Sequence, residues 1–150
     1  MRRMVAPPGF ILALCLVVGV YAIAHVLPAV RVFDQVEFGW QASCVAAQAA
    51  VETLWRGEHE WLWVFGWLPN LLLWLGVACL WIGRRSDARR AGIAAGLAGC
   101  LAFAGAALWL VTGEVQDLFI GYYVWTVSML LFAVLGFWSA AAARPALVLA

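Results

Sequence analysis

Four stretches of this chain, each longer than twenty residues, contain no aspartate, glutamate, lysine or arginine: residues 10–30, 61–82, 91–112 and 118–139. A helix needs about 20 mostly apolar residues to cross roughly 30 Å of hydrocarbon, and every stretch meets that length. They are why 67% of the residues are hydrophobic and only 11% charged, a balance outside that of soluble domains. Lipid offers no water to satisfy backbone N–H and C=O groups, so segments of this kind fold as helices. The expected fold is all-α, a single domain over residues 1–150 built as an integral membrane four-helix bundle.

The charges between the stretches set an orientation. All nine basic residues are arginine, and Arg2, Arg3, Arg84, Arg85, Arg89, Arg90 and Arg144 fall on one side of a four-span arrangement, leaving Arg31 and Arg56 on the other. Arginine-rich segments stay in the cytoplasm, which places both termini and the RRSDARR loop there. The acids Asp34, Glu37, Glu52, Glu58, Glu60, Glu114 and Asp117 fall on the outer side. The start of the chain, with MRR, an apolar run and Ala22-Ile23-Ala24, has the form of a secretory signal. Its apolar run continues to Val30, so a retained first helix is expected, with Pro7 and Pro8 at its start.

The long outer loop contains an alanine-rich, proline-free segment, residues 38–56, expected to be an amphipathic helix. Gln41, Gln48, Glu52 and Arg56 share one stripe, and Trp40, Val51, Leu54 and Trp55 lie opposite. Such a helix lies on the bilayer or caps the bundle, either as a shield for helix ends or as a docking surface. Trp55, Trp61, Trp63 and Trp67 cluster where this loop meets the second span, the level at which tryptophan anchors a protein in the interface. They also offer a stacking platform for a carbohydrate or quinone.

Small residues dominate the third span, where Gly92 and Gly96 form a GxxxG, Gly99 flanks it, and Cys100 and Ala104 extend it by steps of four. Small side chains let helix backbones approach closely, within one chain or between copies. The second span poses a different question, because Pro69 and Asn70 interrupt the apolar run WLWVFGWLPNLLLW. Pro69 frees the carbonyl of Phe65 and is able to kink the helix, whereas Asn70 lies about 14 Å below the outer edge at 1.5 Å per residue. The same depth in the first and fourth spans reaches Tyr21 and Ser128, which makes Tyr21, Asn70 and Ser128 an expected polar cluster near the midplane. An unpaired amide in hydrocarbon is costly, so the cluster is either an interhelical clasp or a small polar site for a ligand or a permeating species.

Several chemistries lack their residues. The lack of any charge inside a span argues against a proton relay, a voltage sensor or an ion-coupled transporter. Cys44 is alone in the outer loop, which sets aside the four-helix disulfide oxidoreductases and the claudin-like proteins. No phosphate loop, nucleophile elbow or zincin helix is present. His25 and His59 both fall near the outer face; together with Asp34, Glu58 and Glu60 they offer ligands for a metal, or for a haem if the two rings face each other.

WLPNLLLWLG (67–76), RRSDARRAG (84–92) and GYYVWTVSM (121–129) resemble a loose group of small uncharacterised bacterial inner-membrane proteins. The resemblance covers the second to fourth spans and implies no activity. It implies that Asn70, Tyr122, Trp125 and Ser128 belong together. With the small size and the alanine and arginine bias, it points to a bacterial cytoplasmic membrane. The expected function is that of a non-enzymatic accessory subunit or homo-oligomer without a cofactor, its partners being lipids and other transmembrane chains or itself, not nucleic acid. Two alternatives are a lipid-, quinone- or haem-binding protein and a small homo-oligomeric channel, although the spans offer few polar residues to line a pore.

Overall fold

The computed structural model describes residues 4–32, 35–56, 61–83, 87–112 and 117–145. Five helices carry most of them: α1 (Phe10–Val26), α2 (Gly39–Arg56), α3 (Trp61–Gly83), α4 (Ala88–Thr112) and α5 (Ile120–Ala142). The class is all-α. Two small antiparallel sheets are added at the helix ends. Strands β1 (Met4–Val5) and β5 (Arg144–Pro145) pair before α1 and after α5. Strand β2 (Pro28–Val32) pairs with β3 (Gln35–Phe38) on one edge and β4 (Asp117–Leu118) on the other, after α1 and before α5. Helices α1 and α5 therefore run antiparallel, clipped at both ends.

The first helix stops at Val26, four residues short of the expected 30. The residue before a proline is pushed out of the α region, and Leu27, preceding Pro28, is extended at φ −93°, ψ 151°. Residues 28–32 instead become the central strand of the three-stranded sheet. The outer-loop helix starts at Gly39, held by a bond from its N–H to Leu27 O (3.0 Å). A side chain at Gly39 would lie 2.4 Å from Ala24 O, so α2 begins directly against the last turn of α1.

Helix α4 lies between α3 and α5, with α1 on the other side of α5 and α2 packed along α3. Large apolar side chains from α1, α3 and α5 fill the centre, among them Phe10, Leu14, Leu73, Leu80 and Phe132. Helix α4 contributes almost no bulk. Its buried positions among the described side chains are Ala88, Gly92, Ala95, Gly96, Gly99, Ala102 and Ala106; with Gly96 beside Ala95, they recur at steps of three and four, the spacing that keeps one seam facing its neighbours. On the α5 side the backbones nearly touch: a Cβ on Gly136 would lie 2.4 Å from the Gly96 amide nitrogen, and one on Gly99 2.6 Å from that of Ala133.

Of the expected stripe, Gly92, Gly96 and Gly99 lie in this α4–α5 interface, whereas Cys100 and Ala104 are exposed. Repeated steps of four overshoot a full turn by about 40° each, so the row 92, 96, 100, 104 drifts off the seam. Among the described residues, two helical segments are long and apolar enough to cross a membrane, Ala88–Leu108 and Ile120–Ala142; Phe10–Val26 and Trp67–Gly83 are apolar but shorter.

Candidate functional site

Asn70, the one side-chain amide within the four apolar stretches, is buried at 8% exposure in α3. Its Oδ1 accepts two hydrogen bonds, from the Tyr21 hydroxyl of α1 (2.9 Å) and from Trp125 Nε1 of α5 (2.9 Å). An indole N–H only donates, so the Trp125 bond fixes which end of the amide faces it and makes the Tyr21 hydroxyl a donor as well. Three helices thus meet at one oxygen. Tyr21 and Trp125 each lie five residues from the β2 end of their helix, about 7.5 Å, while Asn70 lies nine residues into α3, about 14 Å. Helix α3 therefore projects beyond the ends of α1 and α5.

Aromatic rings enclose the junction. Tyr21 meets Trp74 edge-on at 5.9 Å between centroids and lies 4.4 Å from the His25 ring. Tyr122 lies 5.6 Å from Trp125, and its hydroxyl donates to Ala106 O, tying α5 to α4. Ser128 is fully buried, but its Oγ donates to Trp125 O (2.6 Å) within its own helix. Thr126 Oγ1 likewise donates to Tyr122 O (3.0 Å). Of Tyr21, Asn70 and Ser128, the first two bond directly, and the third braces the turn that carries Trp125.

His25 links this region to α2. Its Nδ1 lies 2.9 Å from Tyr21 O and its Nε2 3.3 Å from Ser43 Oγ. A carbonyl only accepts, so Nδ1 carries the proton in the neutral ring and the Ser43 hydroxyl donates to Nε2. His59, Asp34, Glu58 and Glu60 lie outside the described residues, and among those described no three His, Cys, Asp or Glu side chains gather around a point that would hold a metal ion. The four cysteines are unpaired and exposed. Of the expected anchors, Trp55 is 88% exposed and Trp67 half-buried, while the side chains of Trp61 and Trp63 lie outside the described residues. Between β2 and β4, Arg31 pairs with Asp117 at 3.0 Å and lies over the Phe119 ring at 5.8 Å.

Sequence reasoning treated Trp125 only as part of a pattern shared with Asn70. Its N–H was the available signal, because a donor-only group inside an apolar helix needs an acceptor and Asn70 is the one amide there. No family model, curated protein or solved structure matches the chain. The site is therefore read from its own chemistry: a buried junction of two donors on one amide oxygen.

Proposed function

We propose that this is an integral protein of a bacterial cytoplasmic membrane, with α1, α3, α4 and α5 crossing the lipid and α2 at the outer surface, serving as a non-enzymatic subunit. The observation that carries the membrane reading is an outer surface as apolar as the core. Leu12, Leu16, Leu75, Leu101, Val134 and Trp138 face outward from all four helices, while Asn70, Thr126, Ser128 and Ser139 are buried. An apolar surface of this extent needs a partner, and lipid is the partner that surrounds a bundle on all sides. The core helix of a soluble protein is mostly buried, but only 33% and 44% of the apolar windows of α4 and α5 are. Helix α1, with 17 residues, is at the short end of what spans, and α3, with 23, reaches about 34 Å.

The subunit reading is supported by how the interior polar groups are used. Tyr122, Thr126 and Ser128 bond backbone carbonyls, and Tyr21, Asn70 and Trp125 bond one another across helices. These bonds fix register and rotation, the role of polar residues in helix association within lipid. The glycine row of α4 is taken up by α5, so contacts with other chains fall to α2 and to the outward faces. Mild detergent extraction is expected to give a particle well above the 16.3 kDa of one chain. A monodisperse monomer by light scattering overturns the subunit reading. Membrane-impermeant thiol labelling tests the orientation: Cys44 is expected to react from outside and Arg89→Cys from the cytoplasm, and labelling of both from one side overturns it.

A further inference from the structure

We infer that the outward face of α4 holds one acidic phospholipid, its phosphate at Arg89 and Arg90 and an acyl chain along Ile93, Leu97 and Leu101. The site rests on the membrane placement proposed above. Arg90, Ile93, Leu97 and Leu101 recur at steps of three and four, which puts them on one stripe, and Arg89 stands at its edge. The stripe points away from the seam of Gly92, Gly96 and Gly99, and all five side chains are exposed. A pair of cations thus stands above an apolar strip of helix, about 17 Å from Arg90 to Leu101 at 1.5 Å per residue. An acidic phospholipid has the complementary order, an anion above a hydrocarbon chain.

The charge at this end of the bundle exceeds what its own acid can balance. A Cβ on Gly92 would lie 2.6 Å from the Ala140 nitrogen, so the start of α4 and the end of α5, with Arg144 following it, lie side by side. Among the described residues at this end the one acid is Asp87. Its Oδ1 accepts from the Arg90 backbone N–H (3.2 Å) and its Oδ2 pairs with Arg90 Nε (3.1 Å), which leaves the charges of Arg89 and Arg144 in excess. Cations in the first turn of a helix also oppose its dipole, so Arg89 and Arg90 cost α4 stability that a bound anion would restore. The basic residues are all arginine. Lysine would hold the orientation equally well, whereas the guanidinium fork matches two oxygens of a phosphate.

The test uses the full-length chain. Flotation with phosphatidylcholine vesicles is read first: a chain that stays in the aqueous fraction removes the membrane placement, and the site with it. Floating chain is then taken into micelles of an uncharged detergent and titrated with phosphatidylglycerol or with phosphatidylcholine of the same acyl chains, bound lipid being counted by native mass spectrometry. One saturable phosphatidylglycerol per chain is expected, held about twentyfold more tightly than phosphatidylcholine at low ionic strength, the worth of two arginines near an anionic surface. Arg89→Gln and Arg90→Gln should each weaken it about fivefold. Arg144→Gln removes the same charge from the same end but not from the α4 stripe, and should weaken it less than about twofold. Wild-type chain that floats but binds the two lipids equally overturns the site while the membrane placement stands, a result that needs no variant to fold. A loss in Arg144→Gln as large as in Arg89→Gln overturns it too, because the field of the whole end would then hold the lipid.

Discussion

The α4–α5 seam and the Asn70 junction hold helices together by opposite means. At the seam, Gly92, Gly96, Gly99 and Gly136 remove side chains so that backbones meet, and the attraction is dispersion over many close atoms. At the junction, Tyr21, Asn70 and Trp125 keep the helices farther apart and join them through two directed bonds on one oxygen. The first is intolerant of volume and indifferent to polarity; the second is the reverse. Gly136→Leu should therefore give the largest effect, because the new Cβ would meet the backbone of Gly96, which cannot swing aside. A loss of more than about 3 kcal/mol is expected, read as failure to recover folded protein or as a collapse of the denaturant midpoint in mixed micelles.

The junction should yield more gradually. Asn70→Leu keeps the branching at Cγ but strands two donors, and a loss of about 1–3 kcal/mol is expected in the same unfolding assay. Tyr21→Phe and Trp125→Phe each remove one donor and leave Oδ1 with the other. Each should cost about 0.5–1.5 kcal/mol, the range found for interhelical bonds in lipid. If Asn70→Leu costs no more than either single donor removal, the shared oxygen is not the hub of the junction.

Much of the fold was readable because charge-free runs of this length admit little besides helix, and the all-α class follows from them. The strands were hidden. PAVRV and QVEF are too short to signal themselves, and β2 is completed by Asp117 and Leu118, which sequence proximity cannot connect to it. A level was misplaced for a different reason: α3 projects beyond the end of α5, so equal counts from the outer ends set Ser128 beside Asn70, whereas α5 meets it through Trp125, three residues earlier. Tyr21 and Asn70 were findable because each is a hydrogen-bonding side chain in an otherwise apolar run. The glycine row was findable as a row but not as to its partner, because close packing within one chain and between copies require the same small residues.

The Arg31–Asp117 pair sets a third scale, since both side chains are substantially exposed, at 40% and 52%. Asp117→Asn is expected to cost no more than about 0.5 kcal/mol at low ionic strength, with the difference from wild type disappearing in high salt. A larger, salt-independent loss would mean that the β2–β4 edge is held by this pair instead of by its backbone bonds.

The smallest expected effect sharpens the opening contrast most directly. Gly19 lies in α1 with nothing within 4 Å of where a Cβ would stand, whereas the same atom on Gly136 would meet Gly96 nitrogen at 2.4 Å. Alanine at both positions is one chemical change in two surroundings. Gly19→Ala should shift stability by no more than about 0.5 kcal/mol in either direction, because the added methyl faces outward and helix propensity favours alanine. Gly136→Ala must move two backbones apart and should lose at least about 1 kcal/mol more than Gly19→Ala in the same micelles. Equal effects would mean that the α4–α5 distance is set by something other than the glycines, and the seam would then have to rest on the large side chains flanking it, Phe132 and Phe137, which lie close to Gly76 and Gly96.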